Sequence, residues 1–422
     1  MGSEKRNSYL VENRQPRFFY GYIVVLAAIC IMIVIWGAYR TFGIFFKPVL
    51  SEFGWTRAMT SGAFSLCAIL NGFLTISMGK LTDKFGPRIV MVACGFFLGL
   101  GYLLMSQIST IWQLYLFYGV IIAIGMGGSF TPLVSTVARW FVKRRGMMTG
   151  IVASGVGLGT MIMSPVASRL ISGCGWRTSY IIIGIIALVL IILAAQFLRR
   201  DPGQMGQLPY GENGVKENSL NLESSGFSLQ QAVHTRQLWM LGAIFFCFLF
   251  GLETIMVHIV PHATELAISA TTAANILAVI GGLNIAGMII MGSAGDRIGN
   301  RLTIIICFIL MSIALVWLVV IKEVWMLYLF AAILGFASGG ISVLISPIVA
   351  ELFGLSSHGV ILGSIMFIGT IGGATGPILA GHIFDIIGSY HTAFIVCAAV
   401  GILGIILTSL LKPRVSKGGE VD

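Results

Sequence analysis

Apolar runs about as long as a bilayer is thick, separated by short polar turns, fill the chain from residue 18 to residue 411. Because about 20 apolar residues cross a membrane core as an α-helix, the pattern predicts twelve helices. They lie near 18–46, 57–79, 87–107, 111–139, 145–170, 176–197, 237–262, 270–294, 301–320, 325–350, 358–381 and 390–411. One interruption is of a different kind. Between Asp201 and Gln230 the apolar density collapses into a stretch rich in Gly, Asn, Glu and Ser, too polar to order itself around a core. It is expected to be a cytoplasmic linker over 201–235, joining an N-terminal six-helix bundle over 1–200 to a C-terminal six-helix bundle with a short cytoplasmic tail over 236–422. The first seventeen residues are polar and precede a run too long for a signal peptide, so no cleaved leader is expected.

Two short loops repeat. Gly79-Lys80-Leu81-Thr82-Asp83-Lys84-Phe85-Gly86-Pro87-Arg88 returns as Gly292-Ser293-Ala294-Gly295-Asp296-Arg297-Ile298-Gly299-Asn300-Arg301. The matched pairs 79 and 292, 83 and 296, 88 and 301 are all 213 apart, as are Gly146 and Gly359, Gly159 and Gly372, and Gly175 and Gly388. Such a repeat is what two homologous halves require. The expected fold class is therefore an all-α integral membrane protein with twelve transmembrane helices in two pseudo-symmetric six-helix bundles. Gly79, Asp83, Arg88, Asp296 and Arg297 are the expected gating-loop residues, since a tight turn needs glycine and an acid with basic neighbours can hold a helix end.

Composition agrees. Hydrophobic residues are 57% and charged residues 10%, against roughly 25% charged in soluble proteins. A net charge of +10 would point to nucleic acid in a soluble chain, but here it reads as orientation. Alternating the loops from a cytoplasmic N-terminus places 20 of the 26 Lys and Arg inside, and such a bias sets topology. Both termini are thus expected in the cytoplasm, in a cell inner or plasma membrane, with lipid and no nucleic acid as partner. Of seven cysteines, six lie in apolar runs and Cys174 in a short loop, without Cys-x-x-Cys or Cys/His clusters. No metal, cofactor or disulfide is expected.

Ionisable residues well inside the spans are Arg40, Glu253 and His258. They are costly in hydrocarbon and mark function by default. Arg40, the only permanent cation within a span, either snorkels to the surface or faces a cavity as an anion contact, where its planar fork suits a carboxylate. Glu253 is a proton-coupling or helix-pairing acid. Glu253 and His258 are about 140° apart around a helix, so they do not face one ligand, and His258 and His262 near the outer end read as interfacial. Glycines at 155, 157, 159, 369, 372, 373 and 376 read as packing surfaces or flexing points. The absence of a Gly-x-x-x-x-Gly-Lys-(Ser/Thr) loop argues against ATP-driven pumping, and nothing points to an enzyme.

The repeated loop resembles the signature loop of the major facilitator superfamily. The segments Phe19-Tyr20-Gly21-Tyr22, Phe42-Gly43-Ile44-Phe45-Phe46 and Glu52-Phe53-Gly54-Trp55-Thr56-Arg57 resemble the opening of the monocarboxylate transporter family and its bacterial oxalate/formate relatives. Arg139-Trp140-Phe141, Gly175-Trp176-Arg177 and Pro377 through Asp385 agree. The resemblance implies proton-coupled carriage of a small organic acid, with Arg40 as a substrate contact. It also implies an arginine on the eighth helix and a tyrosine on the fourth, where this chain has Met288 and Phe130. Arg40, Asn284, Met288, Phe130 and Phe367 form the expected substrate site, and Glu253 and His258 the expected proton-coupling residues. The departures leave three readings: Arg40 holds the anion alone, the substrate is less acidic, or Met288 disables the site. The expected function is secondary active transport of a lactate- or pyruvate-like monocarboxylate by alternating access, by a monomer. A weakly acidic or neutral solute, or a non-transporting sensor, is the alternative.

Overall fold

The computed structural model describes residues 19–141, 144–211, 227–354 and 357–411. Among the cations that set the expected orientation, Lys5, Arg6, Arg14, Arg17, Lys143, Lys216, Lys412, Arg414 and Lys417 lie outside the described residues. So do 212–226 of the expected linker and the expected tail.

Among the described residues, eleven helical stretches are long and apolar enough to cross a membrane, and one of them, Arg145–Ala195, holds two spans. Gly175 divides it with φ 76° and ψ 163°, a conformation that essentially only glycine adopts without strain. The loop expected around Cys174 is therefore a one-residue turn, and its thiol bonds the Leu170 carbonyl one helical turn back. The spans are α1 (Gly21–Phe53), α2 (Arg57–Phe85), α3 (Pro87–Met105), α4 (Ile111–Trp140), α5 (145–174), α6 (176–195), α7 (Arg236–Glu265), α8 (Ala270–Ile298), α9 (Asn300–Val319), α10 (Val324–Phe353), α11 (His358–Ile387) and α12 (His391–Leu410). The first helix runs past its expected end at 46 and bends at Thr41. Its Pro48 has a repeat mate 213 residues on in Pro261 of α7. Large apolar side chains such as Leu26, Trp112, Ile289 and Val316 are more than half exposed, which only a hydrocarbon surround makes favourable. The chain is a multi-pass membrane protein.

Each half uses the same pairings: α1 with α5, α2 with α4 and α3 with α6, matched by α7 with α11, α8 with α10 and α9 with α12. Small residues make the close approaches possible. A Cβ on Gly159 would strike the Ile33 carbonyl, and one on Gly372 the Phe246 carbonyl; both the glycines and their neighbours are 213 apart. The glycines expected as packing surfaces do pack.

The halves meet along α2 and α11, along α5 and α8, and where the outer part of α1 crosses α7. Among the described residues, the hydrogen bonds between halves run from the ion pair of Arg40 with Glu253 to Arg57, Ser61 and Ser65 opposite α7, α11 and Tyr390. All lie towards the end carrying Gly54 and Gly388, the sealed end. At the opposite end, a Cβ on Gly146 or Gly150 of α5, or on Gly359 or Gly363 of α11, would meet nothing within 4 Å.

The seam predicts how substitutions divide. A Cβ on Gly281 would lie 2.6 Å from the Gly157 carbonyl and 2.9 Å from the Met161 nitrogen, both backbone atoms that cannot rotate away. Gly281→Val is expected to cost about 1–3 kcal/mol, the scale of overpacking, and to lower the melting midpoint of the detergent-solubilised protein. Gly363→Val, in open space, is expected to leave it unchanged. Equal midpoints would contradict the seam.

Candidate functional site

The bend at Thr41 ends the first part of α1 one residue after Arg40, and the Thr41 hydroxyl donates to the Ala38 carbonyl at 2.6 Å. The guanidinium is thereby presented towards α7, where its Nη1 bonds Glu253 Oε2 directly. Both residues are 7% exposed. The Trp36 and Tyr39 ring centroids lie 5.6 and 5.8 Å from the guanidinium carbon, and Tyr39 stacks on Phe64 at 4.9 Å. On the other side, the Glu253 Cγ would be 3.0 Å from a Cβ on Gly373, so the acid lies against the glycine stripe of α11. Arg40 does not snorkel, and it is not a free cation: its charge is already met by Glu253.

The two partners are 213 residues apart, the step of the repeat. They are equivalent positions of the two halves, and the pair crosses the pseudo-twofold axis. Inspection of residue types missed this partnership, although adding the repeat step to Arg40 finds it. A buried ion pair contributes little net stability, because desolvation offsets attraction.

The sealed end holds a second polar chain. Arg57 is the first residue of α2, where the hydropathy pattern starts the second helix, and only 9% exposed. Its guanidinium donates to Tyr390 Oη at 2.7 Å and to Glu265 at 2.6 Å, and lies 3.7 Å from the Phe384 ring centroid. Arg40 is thus not the only cation in a span. Tyr390 Oη is 3.0 Å from His258 Nδ1, and His258 Nε2 is 2.9 Å from the Pro377 carbonyl. A carbonyl only accepts, so Nε2 carries the hydrogen and Nδ1 accepts from the tyrosine. His258 is fully buried and His262 is 4% exposed. The interfacial reading of both is corrected: His258 meets Ser61 and Phe46 of the other half inside the sealed seam, and His262 is buried against Tyr390 and Phe394 of its own half. The structure does not bring His258 to the Arg40–Glu253 pair.

The remaining candidates are dispersed. Asn284 donates to Ser338 Oγ at 3.0 Å, and the Met288 nitrogen would be 2.9 Å from a Cβ on Gly339, so both pack on α10. Phe130 is half-buried where α4 resumes regular helix at Thr131. Phe367 meets Phe73 of the other half with centroids 4.5 Å apart. In the loops, the turn is made by Gly86 (φ 84°) and Gly299 (φ 89°), whereas Gly79 is helical. Asp83 pairs with Arg139 at the end of α4 instead of with its own loop's cations, and Arg139 also reaches Asp201 at 3.9 Å. Arg88 bonds Gln196, and its mate Arg301 bonds the Thr408 and Ser409 carbonyls. Asp296 and Arg297 are exposed and in no ion pair among the described residues. Among those residues, no three His, Cys, Asp or Glu cluster as metal ligands.

A model of the Major Facilitator Superfamily matches residues 24–262 and 241–421. The chain is 26% identical to monocarboxylate transporter 13 of Rattus norvegicus over 387 residues, covering 91% of this chain and 87% of that one. It is 25% identical to the oxalate:formate antiporter of Oxalobacter formigenes over 407 residues, covering 95% and 93%. The fold matches the crystal structure of a bacterial homologue of the human lysosomal transporter Spinster, inward-facing and occupied, with TM-score 0.74 and 14% identity over 94% of this chain and 97% of that one.

The pair predicts non-additive stability. Arg40→Met or Glu253→Met alone leaves one buried charge unpaired and is expected to cost about 3–5 kcal/mol, whereas the double replacement is expected to cost far less than their sum. Thermal unfolding of the four proteins checks this; additive losses would contradict direct pairing.

Proposed function

We propose that this chain, which belongs to the Major Facilitator Superfamily, is a carrier in which one proton and one small monocarboxylate cross together, with Arg40 holding the carboxylate and Glu253 the proton. The observation that supports the reading is the buried ion pair between the halves. In the empty carrier the two charges cancel. An anion that bound Arg40 beside ionised Glu253 would add an uncompensated charge to a desolvated site, which is expensive. With a proton on Glu253, the acid releases the guanidinium, whose planar fork then accepts the substrate carboxylate. Empty and loaded carriers are both neutral, so both can reorient, while the half-loaded forms cannot.

In this reading the 1–200 half rocks against the 236–422 half about the central pair, with 201–235 as linker, as a monomer. The termini lie in the cytoplasm of an inner or plasma membrane, and the sealed end faces outwards. Phe367 and Phe73 meet in the seam between the halves, while Asn284, Met288 and Phe130 bring no charge to the substrate site. Since Glu253 already satisfies Arg40, a weakly acidic or neutral solute is the second reading.

Uptake of labelled lactate into proteoliposomes separates the two. Proton-driven accumulation is expected in the parent, loss of its response to the gradient in Glu253→Gln, and binding weaker by about 2–5 kcal/mol in Arg40→Ala. Full proton-driven accumulation by Glu253→Gln would place the proton elsewhere, and no carboxylate binding even with Met288→Arg would favour the neutral solute. In the same assay, Asp83→Ala, which frees Arg139, is expected to slow turnover while leaving binding intact, and Asp296→Ala to have the smaller effect. Lost binding in well-folded Asp83→Ala would contradict a gating role.

A further inference from the structure

The repeat marks a place where one half holds a carboxylate and the other holds a cavity. At the sealed end Thr56 caps α2 by accepting from Met59 N at 3.2 Å, and the two preceding amides, Arg57 N and Ala58 N, each donate to Asp385 of α11 at 2.9 Å. A step of 213 carries this arrangement onto α8. Ser269 accepts from Thr272 N at 3.1 Å, and the corresponding first-turn amides are those of Ala270 and Thr271, which have no acceptor within the helix. The residues opposite them have changed: the mate of Asp385 is Ser172 and the mate of Gly381 is Ser168.

Where the carboxylate would be, there is a cavity of about 220 Å³ lined by Lys47, Ser51, Ser168, Ser172, Thr264 and Ala270 among others. Ser168 is 1% exposed and its hydroxyl has no hydrogen-bond partner among the described residues. Lys47 has no acidic group within ion-pair distance among those residues. The acids nearest the cavity along the chain are committed elsewhere, Glu52 to Arg177 and Trp176 and Glu265 to Arg57. A helix N-terminus, an ammonium with no ion pair among the described residues and an unsatisfied buried hydroxyl therefore lie around one open cavity.

We propose that this cavity binds a small carboxylate, which takes on α8 the place that the Asp385 side chain holds on α2. The Ala270 and Thr271 amides and the Ser168 hydroxyl supply donors and Lys47 the charge. The occupant ties α5 to α8, and so one half to the other, at the sealed end. The assignment rests on the repeat geometry and the cavity, and is independent of what Arg40 carries.

The test is the rate at which a succinimidyl ester modifies each lysine of the purified full-length protein, read by mass spectrometry in acetate or in chloride of equal ionic strength. Acetate is expected to slow modification of Lys47 several-fold relative to chloride and to leave exposed Lys322 unchanged. The effect is expected to persist in the Arg40→Met/Glu253→Met protein, to persist in Ser172→Asn, and to vanish in Ser172→Asp, whose side chain supplies the missing carboxylate. Equal rates in acetate and chloride, protection that survives Ser172→Asp, or protection lost with the central pair would each overturn the assignment.

Discussion

A charge buried in hydrocarbon must be cancelled by another within contact distance, and the architecture is arranged around one such cancellation. Arg40 and Glu253 meet on the pseudo-twofold axis, each 7% exposed, one from each half. Neither helix can leave the other without separating the charges or supplying a substitute for one of them. The bend at Thr41, the aromatic rings of Trp36 and Tyr39, and the glycine at 373 that lets Glu253 approach α11 all position this pair. The proposed cycle follows from the same constraint: a proton on the acid and a carboxylate on the guanidinium are the substitutes that keep the centre neutral.

The two halves share a backbone plan and differ in the charges hung on it. Arg88 and Arg301 tie the start of α3 and of α9 to matched helix ends, and Thr56 and Ser269 cap α2 and α8 alike. Against that symmetry, Asp83 is paired whereas Asp296 has no ion pair among the described residues, and Asp385 meets the first turn of α2 where its repeat mate beside α8 is Ser172. In an alternating-access protein such differences decide which end closes more firmly, because each ion pair or capped helix at an end must be broken for that end to open.

Much of the fold was legible in the sequence because bilayer thickness fixes the length of every apolar run. The twelve spans and the repeat followed from run length and the spacing of a few glycines and charges, and the family from the resemblance of the repeated loop and of the segments at Phe19, Phe42 and Glu52. The site was less legible. Inspection placed Arg40 and Glu253 as separate candidates and left the arginine to the membrane surface or the substrate; their contact is tertiary, and only the 213-residue step hinted at it. His258 and His262 looked interfacial because they lie near one end of the apolar run of α7, but α11 and α12 cover them. Arg57 stood at the start of the expected second helix with no partner assigned, because hydropathy does not register the Phe384 ring and the two polar partners that bury its guanidinium.

The central claim is that the Arg40–Glu253 centre is neutral both empty and loaded. Charge movement during lactate transport, recorded from proteoliposomes on a solid-supported membrane, tests it most directly. The account predicts no net charge movement from the parent protein, and no net lactate uptake by Glu253→Gln, whose empty form carries the uncompensated Arg40 charge and cannot return. A parent protein that moves charge with every lactate, or a Glu253→Gln variant that takes up lactate in net amount, would contradict it.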